Sequence, residues 1–563
     1  MRLPGVSVGR GRSAARGAQV TADPGRNPAT GPACAAAWTA LASALLERGR
    51  TRRAQRLFRR ALRLDPRAAR AHEGMVRAGL RIGRCADARR HLEILVRLEP
   101  ENALAHAELG ALLADCGEPR RAESHLRRAR RLAPRDPCVA LALANHLARG
   151  GASRASRRLL AEAARAGLPA AQSALARDTV ARRGARGRDA ALRWWVLAAR
   201  AGDPDACFQL AVRFDTGEDL SRDPLLAAKL YAVAARAGIA AAQHNLGLLY
   251  AQGRGVRRDD RRAARWYARA ARRGEPNAQT NLGACYAHGQ GVPQDVALAR
   301  QWFERAARRG HPLAQFNAGV LCESGQGGPR DPDRALRWLR RAARRGCAPA
   351  AFYLGVLHEV GESAPRDLRR SRRWVCRAAR AGHAPAQLHL AEQALQAGGE
   401  RDREAAAWLS HAAAKGFAEA EYLMAFLHHQ GRGVARDPRR TYWWMSRAAH
   451  RGHLDAQVCL GVLLGRGEGV RSDPAAAAAW FARAAEQGDG PAQRRLARCY
   501  ASGVGVPHDA AEAFKWLLLA AESGDRRAQH LCRTLGAELS VRERWEARRR
   551  ALEWSQRRAQ AGA

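Results

Sequence analysis

The sequence predicts an all-α protein built as an α/α solenoid, a right-handed superhelix of helix-turn-helix repeats. Three observations lead to this fold class. A glycine recurs at intervals of 34 to 36 residues, an alanine stands four residues after it, and a tryptophan usually stands eight residues before it. A unit of this length cannot bury its own apolar face, so neighbouring units must stack. The recurring glycines are Gly167, Gly202, Gly238, Gly274, Gly310, Gly346, Gly382, Gly416, Gly452, Gly488 and Gly524.

The first helix of each unit, helix A, follows the glycine. A Leu-Gly pair or a close relative stands eight and nine residues after the glycine, as in Leu246-Gly247 and Leu282-Gly283. Because small and apolar residues at helical spacing let helices approach closely, helix A is predicted to pack tightly against its neighbours. The alanines of the fourth position are Ala206, Ala242, Ala278, Ala314, Ala350, Ala386, Ala420, Ala456, Ala492 and Ala528.

A glycine loop and an aspartate separate helix A from the second helix, helix B. In five units the loop reads Gly-x-Gly-Val, beginning at Gly253, Gly289, Gly431, Gly467 and Gly503. We expect its first glycine to adopt the left-handed conformation that ends a helix. The aspartate is expected to cap the start of helix B with its carboxylate. The aspartates are Asp223, Asp259, Asp295, Asp331, Asp367, Asp437, Asp473 and Asp509.

Helix B carries the recurring tryptophan, and an aromatic residue in fixed register predicts packing between helix B and its neighbours. One unit has Leu230 at this position instead. The tryptophans are Trp194, Trp266, Trp302, Trp338, Trp374, Trp408, Trp444, Trp480 and Trp516.

The combined pattern, A-x3-LG-x2-Y…GxGV…D…A-x2-W-x3-AA-x2-G, resembles the Sel1-like repeat family over 167–538, as ten repeats. The unit at 383–416 departs from the pattern. It is two residues shorter, lacks the GxGV loop and has Ala391 in place of the second glycine, which indicates an irregularity or a hinge.

The period changes to 34 before Gly167, as the spacing of Pro66, Pro100 and Pro134 shows. Residues 34–139 resemble three tetratricopeptide repeats, and 140–166 are interpreted as a transitional helical pair. Both repeat families consist of paired antiparallel helices, so they are expected to stack into one array. Residues 539–563 are predicted to form a capping helix, and the Arg/Gly/Pro-rich residues 1–33 are predicted to be disordered or to be a targeting segment.

Composition excludes several classes of protein. The 563 residues contain no apolar stretch long enough to cross a membrane, and the N-terminus lacks the apolar region of a signal peptide. The 12 cysteines form no CxxC pair, so reduced and mostly buried thiols in a cytoplasmic protein are expected. Export by a route other than Sec is the alternative.

The charge is strongly positive, with 97 Lys and Arg against 53 Asp and Glu and a net charge of +44. Only three of the basic residues are lysines, which favours a GC-rich coding bias and a bacterial origin over selection for charge. The sequence does not separate these two explanations. The arginines that close helix B are expected to face solvent and the negative end of the helix dipole. They are Arg200, Arg236, Arg272, Arg308, Arg344 and Arg380.

Catalytic, cofactor and metal sites are not predicted. The GxGV loops lack the preceding strand and the following lysine of a phosphate loop. The histidine-rich group His428, His429, His450 and His453 has no carboxylate or cysteine at a familiar metal-binding spacing. We therefore expect a protein that is not an enzyme and that needs no cofactor.

An asparagine seven residues after the glycine is the main candidate for function, since it recurs at Asn245, Asn281 and Asn317. If helix A lines the concave wall, these amides form a ladder that can pair with the backbone of an extended chain. The alternative is that each asparagine pairs with a neighbouring repeat. Other predicted groove residues are His244, Thr280, Phe316, Phe352, Tyr353 and Tyr422.

Resemblance to the two repeat families implies a protein–protein interaction scaffold or adaptor that binds a partner segment in its concave groove. One or more proteins are the expected partners, without membrane insertion. The second hypothesis is binding of a nucleic acid or an acidic partner through the Arg-rich surface of 171–380. The identity of the partner, the pathway and the oligomeric state do not follow from the sequence.

Overall fold

The computed structural model describes residues 32–151 and 153–562. The predicted disordered segment 1–33 lies outside them except for its last two residues, which begin the first helix. The chain divides into two compact units, Met1–Arg258 and Asp259–Ala563, which we call unit 1 and unit 2. Within the described residues every element is helical, and none of the helices is long and apolar enough to cross a membrane.

Unit 1 is an array of antiparallel helix pairs in which each helix packs against the next. A short 3-10 turn, Gly184–Gly187, precedes its tenth helix. Its helices are α1 (Pro32–Glu47), α2 (Thr51–Leu64), α3 (Ala69–Ile82), α4 (Cys85–Leu98), α5 (Ala103–Asp115), α6 (Pro119–Leu132), α7 (Pro137–Arg149), α8 (Ser153–Arg165), α9 (Pro169–Arg183), α10 (Arg188–Arg200), α11 (Pro204–Thr216), α12 (Pro224–Ala237) and α13 (Ala240–Gln252).

Unit 2 continues the same alternation, and even-numbered helices from α14 to α28 are helices B. The last helix, α30, packs on α28, where Trp554 meets the ring of Trp516 edge-on. Its helices are α14 (Asp260–Arg272), α15 (Pro276–His288), α16 (Val296–Arg308), α17 (Pro312–Ser324), α18 (Pro332–Arg344), α19 (Ala348–Val360), α20 (Leu368–Arg380), α21 (Ala384–Ala397), α22 (Arg401–Ala414), α23 (Ala418–Gln430), α24 (Pro438–His450), α25 (Leu454–Arg466), α26 (Pro474–Glu486), α27 (Gly490–Ser502), α28 (Ala510–Glu522), α29 (Arg526–Glu538) and α30 (Val541–Gly562).

The predicted helix ends are confirmed. All eight predicted aspartates are N-caps whose carboxylates accept a hydrogen bond from a backbone N–H of the first helical turn, as Asp295 does from Leu298 N at 2.8 Å. The first glycine of each GxGV loop has a positive φ, for example +68° at Gly289. These local signals define where each helix begins and ends.

The second glycine of the loop has a role that the pattern did not reveal. At Gly291, a Cβ atom would stand 2.1 Å from the carbonyl oxygen of Asp260, at the start of the helix B of the preceding repeat. The same close approach recurs at Gly255 against Pro224 and at Gly469 against Pro438. The second glycine therefore lets one repeat touch the next through backbone alone.

The core consists largely of alanine. Each of the ten recurring alanines is 0% exposed. Close packing also depends on the Leu-Gly pair, since a Cβ atom on Gly283 would lie 2.8 Å from the ring of Phe303. The expected tight packing of helix A is confirmed, because small residues leave room for the large residue that follows the tryptophan on helix B.

The recurring tryptophan is only partly the core residue that we expected. Trp338 and Trp516 are buried, whereas the other seven are half-buried. The position after the tryptophan is the buried one, as at Tyr267, Phe303 and Leu339. An arginine three residues further along covers the exposed face of many of these rings, and the Arg269 guanidinium lies 4.6 Å from the centre of Trp266.

The thiols differ from the expectation of mostly buried cysteines. Cys207, Cys285 and Cys322 are buried, three others are exposed, and the remaining six are half-buried. The exposed ones lie at the starts or ends of helices of unit 1, where the alanine-rich core does not reach. Burial raises the pKa of the Cys207 and Cys285 thiols to about 11, so these two are protonated at neutral pH.

The short unit at 383–416 forms a regular helix pair, α21 and α22. Gly398 and Gly399, both with positive φ, make the turn between the two helices in place of the GxGV loop. Asp402 at the start of α22 is buried and binds the guanidinium of Arg432 from the following repeat at 2.8 Å. This ion pair links the irregular unit to its neighbour in the chain.

Candidate partner-binding surface

The predicted groove residues lie on helices A of both units. His244 and Asn245 are on α13 of unit 1, and all the others are on α15, α17, α19 and α23 of unit 2. The three asparagines are thus divided between the units.

Asn245 in unit 1 is half-buried and already has partners. Its Nδ2 donates a hydrogen bond to the Tyr231 hydroxyl on α12 at 3.1 Å, and its Oδ1 lies 3.1 Å from Nδ1 of His244. Tyr231 is 1% exposed. The amide therefore pairs with the helix B of the preceding repeat, as the alternative interpretation of this position expects.

Asn281 in unit 2 repeats this arrangement by hydrogen bonding to the hydroxyl of Tyr267. Its neighbour Thr280 differs from the prediction, because it is 3% exposed and does not line an open surface. The Thr280 hydroxyl donates to the Pro276 carbonyl at 2.8 Å and lies 3.1 Å from His311 Nδ1. A hydroxyl satisfied in this way inside the array is not available to a partner.

Asn317 on α17 is the asparagine that keeps its amide unpaired. The residue that corresponds to Tyr231 and Tyr267 is Phe303, which has no hydroxyl. Among the described residues, no hydrogen bond to the half-buried Asn317 side chain is present. This amide has the donors and the acceptor that a peptide backbone needs.

Aromatic side chains continue the surface from Asn317 toward the following repeats. Phe316 on α17 contacts Tyr353 on α19 edge to face, with ring centres 6.2 Å apart. Phe352 on α19 lies 5.9 Å from the ring of His389 on α21. These rings are half-buried, so each packs against a neighbouring helix A and still exposes a face or an edge to solvent.

Tyr422 on α23 occupies the corresponding place further along unit 2. Its ring stacks on His453, with centres 4.5 Å apart and planes inclined by 20°. His453 is held from its other side by Glu419, at 2.8 Å from Nε2. We call Phe316, Phe352, Tyr353, His389 and Tyr422 the aromatic strip.

Two glutamates border the aromatic strip. The Tyr353 hydroxyl donates to Oε2 of Glu323 at 3.1 Å, and burial together with this carboxylate raises the pKa of Tyr353 to about 12. Glu359 binds His389 Nε2 at 3.0 Å. Hydrogen bonds from Ser363, Arg330 and Tyr353 hold the pKa of Glu323 below its ordinary value despite burial. Glu323 is already paired with Arg330 at 3.0 Å, so Glu359 is the glutamate that brings negative charge to this surface.

Several of these residues were not predicted from the sequence. Glu323 and Glu359 nevertheless share one repeat position, 36 residues apart, and His389 stands seven residues after its glycine, where other repeats carry asparagine. A further periodic signal marks the buried glutamine five residues after the glycine. In seven repeats its amide donates to a carbonyl near the end of the preceding helix B, as Gln315 does to Ala307 O at 3.1 Å.

No arrangement for metal chemistry is present in residues 32–151 and 153–562, where no group of three His, Cys, Asp or Glu side chains is placed to hold an ion. His428 is buried with Nδ1 on the Ala435 carbonyl, and His450 lies edge-on to Trp480. His428, His450 and His453 are therefore engaged in separate contacts, and His429 is exposed. The surface thus combines half-buried aromatic rings, the unpaired amide of Asn317 and the carboxylate of Glu359.

The fold defines the class: an α/α repeat protein built from successive helix pairs. The chain belongs to the Sel1 repeat family, whose model matches ten consecutive segments, and a tetratricopeptide repeat model matches residues 45–116. Repeats of both kinds are generally non-catalytic scaffolds that bind other proteins. The Sel1 segments are 170–203, 204–239, 240–275, 276–311, 312–347, 348–383, 384–417, 418–453, 454–489 and 490–525.

Solved structures of the same repeat types are similar to the chain. The protective antigen c5321 of uropathogenic Escherichia coli, which has an SLR fold, is 26% identical over 71% of this chain and 94% of its own, with a TM-score of 0.42. A Sel1 repeat protein from Oxalobacter formigenes is 33% identical over 61% of this chain and 90% of its own, with a TM-score of 0.32. The tetratricopeptide repeat protein TTC0263 of Thermus thermophilus is 25% identical over 32% and 97%, with a TM-score of 0.28. A search of the curated proteins gave no match.

Proposed function

We propose that the protein is a scaffold or adaptor that binds an extended segment of a partner protein along helices A of unit 2. The observation that carries the proposal is the aromatic strip, whose rings contact one another or the neighbouring repeat from α17 to α25. Half-buried aromatic rings provide large contact area at low conformational cost, which is typical of binding surfaces.

The polar groups of the same surface indicate the chemistry of the segment. The amide of Asn317 supplies hydrogen bonds to a main chain, which any sequence can use. Glu359 favours a segment that carries lysine or arginine near the aromatic rings. Because the helices are already packed, the surface pays little ordering cost on binding.

The first test is selection of peptides from a random 12-residue display library on the full-length protein. We expect extended peptides with basic and apolar residues, whose binding falls by roughly tenfold or more in the variant Phe316→Ala, Phe352→Ala, Tyr422→Ala, since strip residues of this kind are binding hot spots. The matched control removes two exposed tryptophans outside the strip, Trp443→Ala and Trp545→Ala.

A second variant separates binding from folding. Asn317→Ala removes the amide donors and acceptor without breaking an internal hydrogen bond, so it should weaken peptide binding at an unchanged melting temperature. The proposal is wrong if the triple aromatic variant and the Asn317 variant both bind the selected peptides as tightly as the wild type. It is also wrong if the tryptophan control loses as much affinity as the triple aromatic variant.

A further inference from the structure

The strongest charged feature outside the aromatic strip is a row of arginines at the C-terminal ends of α14, α16, α18 and α20 in unit 2. Each of these four helices B ends with two or three arginines, and all are exposed. We call this row the arginine ridge. It comprises Arg269, Arg272, Arg273, Arg305, Arg308, Arg309, Arg341, Arg344, Arg345, Arg377 and Arg380.

Few carboxylates neutralise the arginine ridge. Arg308 has Glu304 at 3.6 Å, but that carboxylate also binds Arg334. Among the described residues, Arg272, Arg344 and Arg380 have no carboxylate partner. Residues 260–380 contain 24 arginines and 10 acidic residues, a net charge of +14.

The other ridge arginines are held in place without losing their charge. Arg305 and Arg341 stack over Trp302 and Trp338, at 4.7 and 5.3 Å from the ring centres. Arg345 donates to the carbonyl of Gly310, at the end of the preceding helix B. Guanidinium groups fixed in this way keep N–H donors for an anion and lose little freedom on binding.

The densest part of the ridge is a cleft of about 330 Å³ between the ends of α16 and α18. Five arginines line it, and the remaining lining residues are an alanine, a glycine and a glutamine. A cleft without a large apolar side chain lacks the anchor that a protein interface usually has at its centre. Its donors suit phosphate or carboxylate oxygens, which arginine binds in a bidentate manner.

The positive charge is distributed unevenly along the Sel1 repeats. The same repeat position, two residues before the closing glycine, is arginine in six successive units and glutamate in the last two. The arginines are Arg200, Arg236, Arg272, Arg308, Arg344 and Arg380, and the glutamates are Glu486 and Glu522. Residues 381–540, which use the same repeat, have a net charge of only +2. Among the Sel1 repeats, the net positive charge is therefore much higher on residues 260–380 than on residues 381–540.

From this geometry we infer that the arginine ridge binds the phosphate backbone of a single-stranded nucleic acid. The ridge presents cations at every repeat across four helices, and a nucleic acid presents one phosphate at every nucleotide. An acidic protein segment is the competing ligand, but it would bring apolar side chains for which the cleft has no counterpart. The inference is independent of the peptide-binding proposal, since the ridge uses helices B.

The test measures binding of fluorescein-labelled 20-nucleotide poly(U) and poly(dT) to the full-length protein by anisotropy, from 50 to 200 mM salt. The ridge variant is Arg272→Gln, Arg308→Gln, Arg344→Gln, Arg380→Gln. The control variant, Arg526→Gln, Arg527→Gln, Arg533→Gln, Arg542→Gln, removes four exposed arginines of α29 and α30 and the same charge. Melting temperatures of both are measured alongside.

We expect the ridge variant to lose on the order of tenfold in affinity at 50 mM salt, and the dependence of log K on log salt to become shallower by about 3, because four phosphate contacts are lost. The control should resemble the wild type. Equal losses in both variants, no binding of either oligonucleotide, or tighter binding of polyglutamate of matched charge than of poly(U) would overturn the inference.

Discussion

At the residue scale, one asparagine position has two different roles. Asn245 and Asn281 each bond to the tyrosine after the tryptophan position, whereas Asn317 faces Phe303 and has no such partner. A buried hydroxyl left unpaired lowers stability, whereas a half-buried amide can still bond to water. The same residue type is therefore structural in two repeats and available for binding in the third.

This difference predicts the outcome of alanine substitutions. Asn245→Ala should lower the free energy of unfolding by about 1 kcal/mol, because the Tyr231 hydroxyl loses its partner inside the core. In the double variant Tyr231→Phe, Asn245→Ala the loss should be no larger than in the single variant. Asn317→Ala, as the control, should change stability by less than about 0.5 kcal/mol. Urea denaturation measures all three; additive losses in the double variant would contradict the pairing.

At the element scale, the two glycines of the GxGV loop have distinct functions. The first ends helix A in a left-handed conformation, and the second allows its own backbone to touch the preceding helix B. The first is visible in a sequence as a helix stop signal. The second depends on a contact between residues about thirty positions apart, which no local rule encodes.

Two single substitutions in one loop test this assignment. Gly289→Ala adds a Cβ at 3.4 Å from its nearest neighbour, so only the left-handed backbone is strained, and the cost should be about 1 kcal/mol. Gly291→Ala adds the same strain and a clash at 2.1 Å with the Asp260 carbonyl, so the cost should be roughly 3 kcal/mol. Thermal melting of the two variants provides the comparison. Equal losses would show that the second glycine has no special contact.

At the scale of the whole molecule, the two units differ in their titratable groups. Unit 1 contains two matching histidine pairs, His72 with His91 and His106 with His125, in each of which the Nδ1 atoms are 2.9 Å apart. His72 and His106 also bond through Nε2 to the carbonyls of Pro66 and Pro100. A carbonyl only accepts hydrogen bonds, so Nε2 of His72 and of His106 carries the proton. In the neutral ring Nδ1 is then the acceptor, and it accepts a hydrogen bond from Nδ1 of the partner histidine.

Low pH should therefore lower the stability of unit 1. Burial lowers the pKa of His91, His106 and His125 below the ordinary value, and the neighbouring histidine or Arg128 adds to this effect. Asp87 and Glu93 oppose it, and Arg59 and Arg121 reinforce it. Because the unfolded chain binds protons more readily, this stability is present above about pH 6.5 and is lost as the pH falls through the lowered pKa values.

Hydrogen exchange of the full-length protein at pH 7.0 and 5.5, corrected for the intrinsic rate, measures the effect. Amides of α3 to α6 should lose protection at the lower pH, while α26, which contains no histidine, should not. The variant His91→Asn, His125→Asn should show a weaker pH dependence in α3 to α6. Unchanged protection of these helices at pH 5.5 in the wild type would contradict the assignment.

The sequence by itself determined the repeat, the helix pairs, their caps and the alanine core, because each follows from residues close together in the chain and recurs at a fixed spacing. The tertiary structure alone decided which side chains remain accessible. In the structure Thr280 is buried, Tyr267 rather than Trp266 is the core residue, and the amide of Asn317 has no hydrogen-bond partner among the described residues. These outcomes depend on contacts between successive repeats, where one changed residue, such as phenylalanine for tyrosine at Phe303, alters what its neighbour can bind.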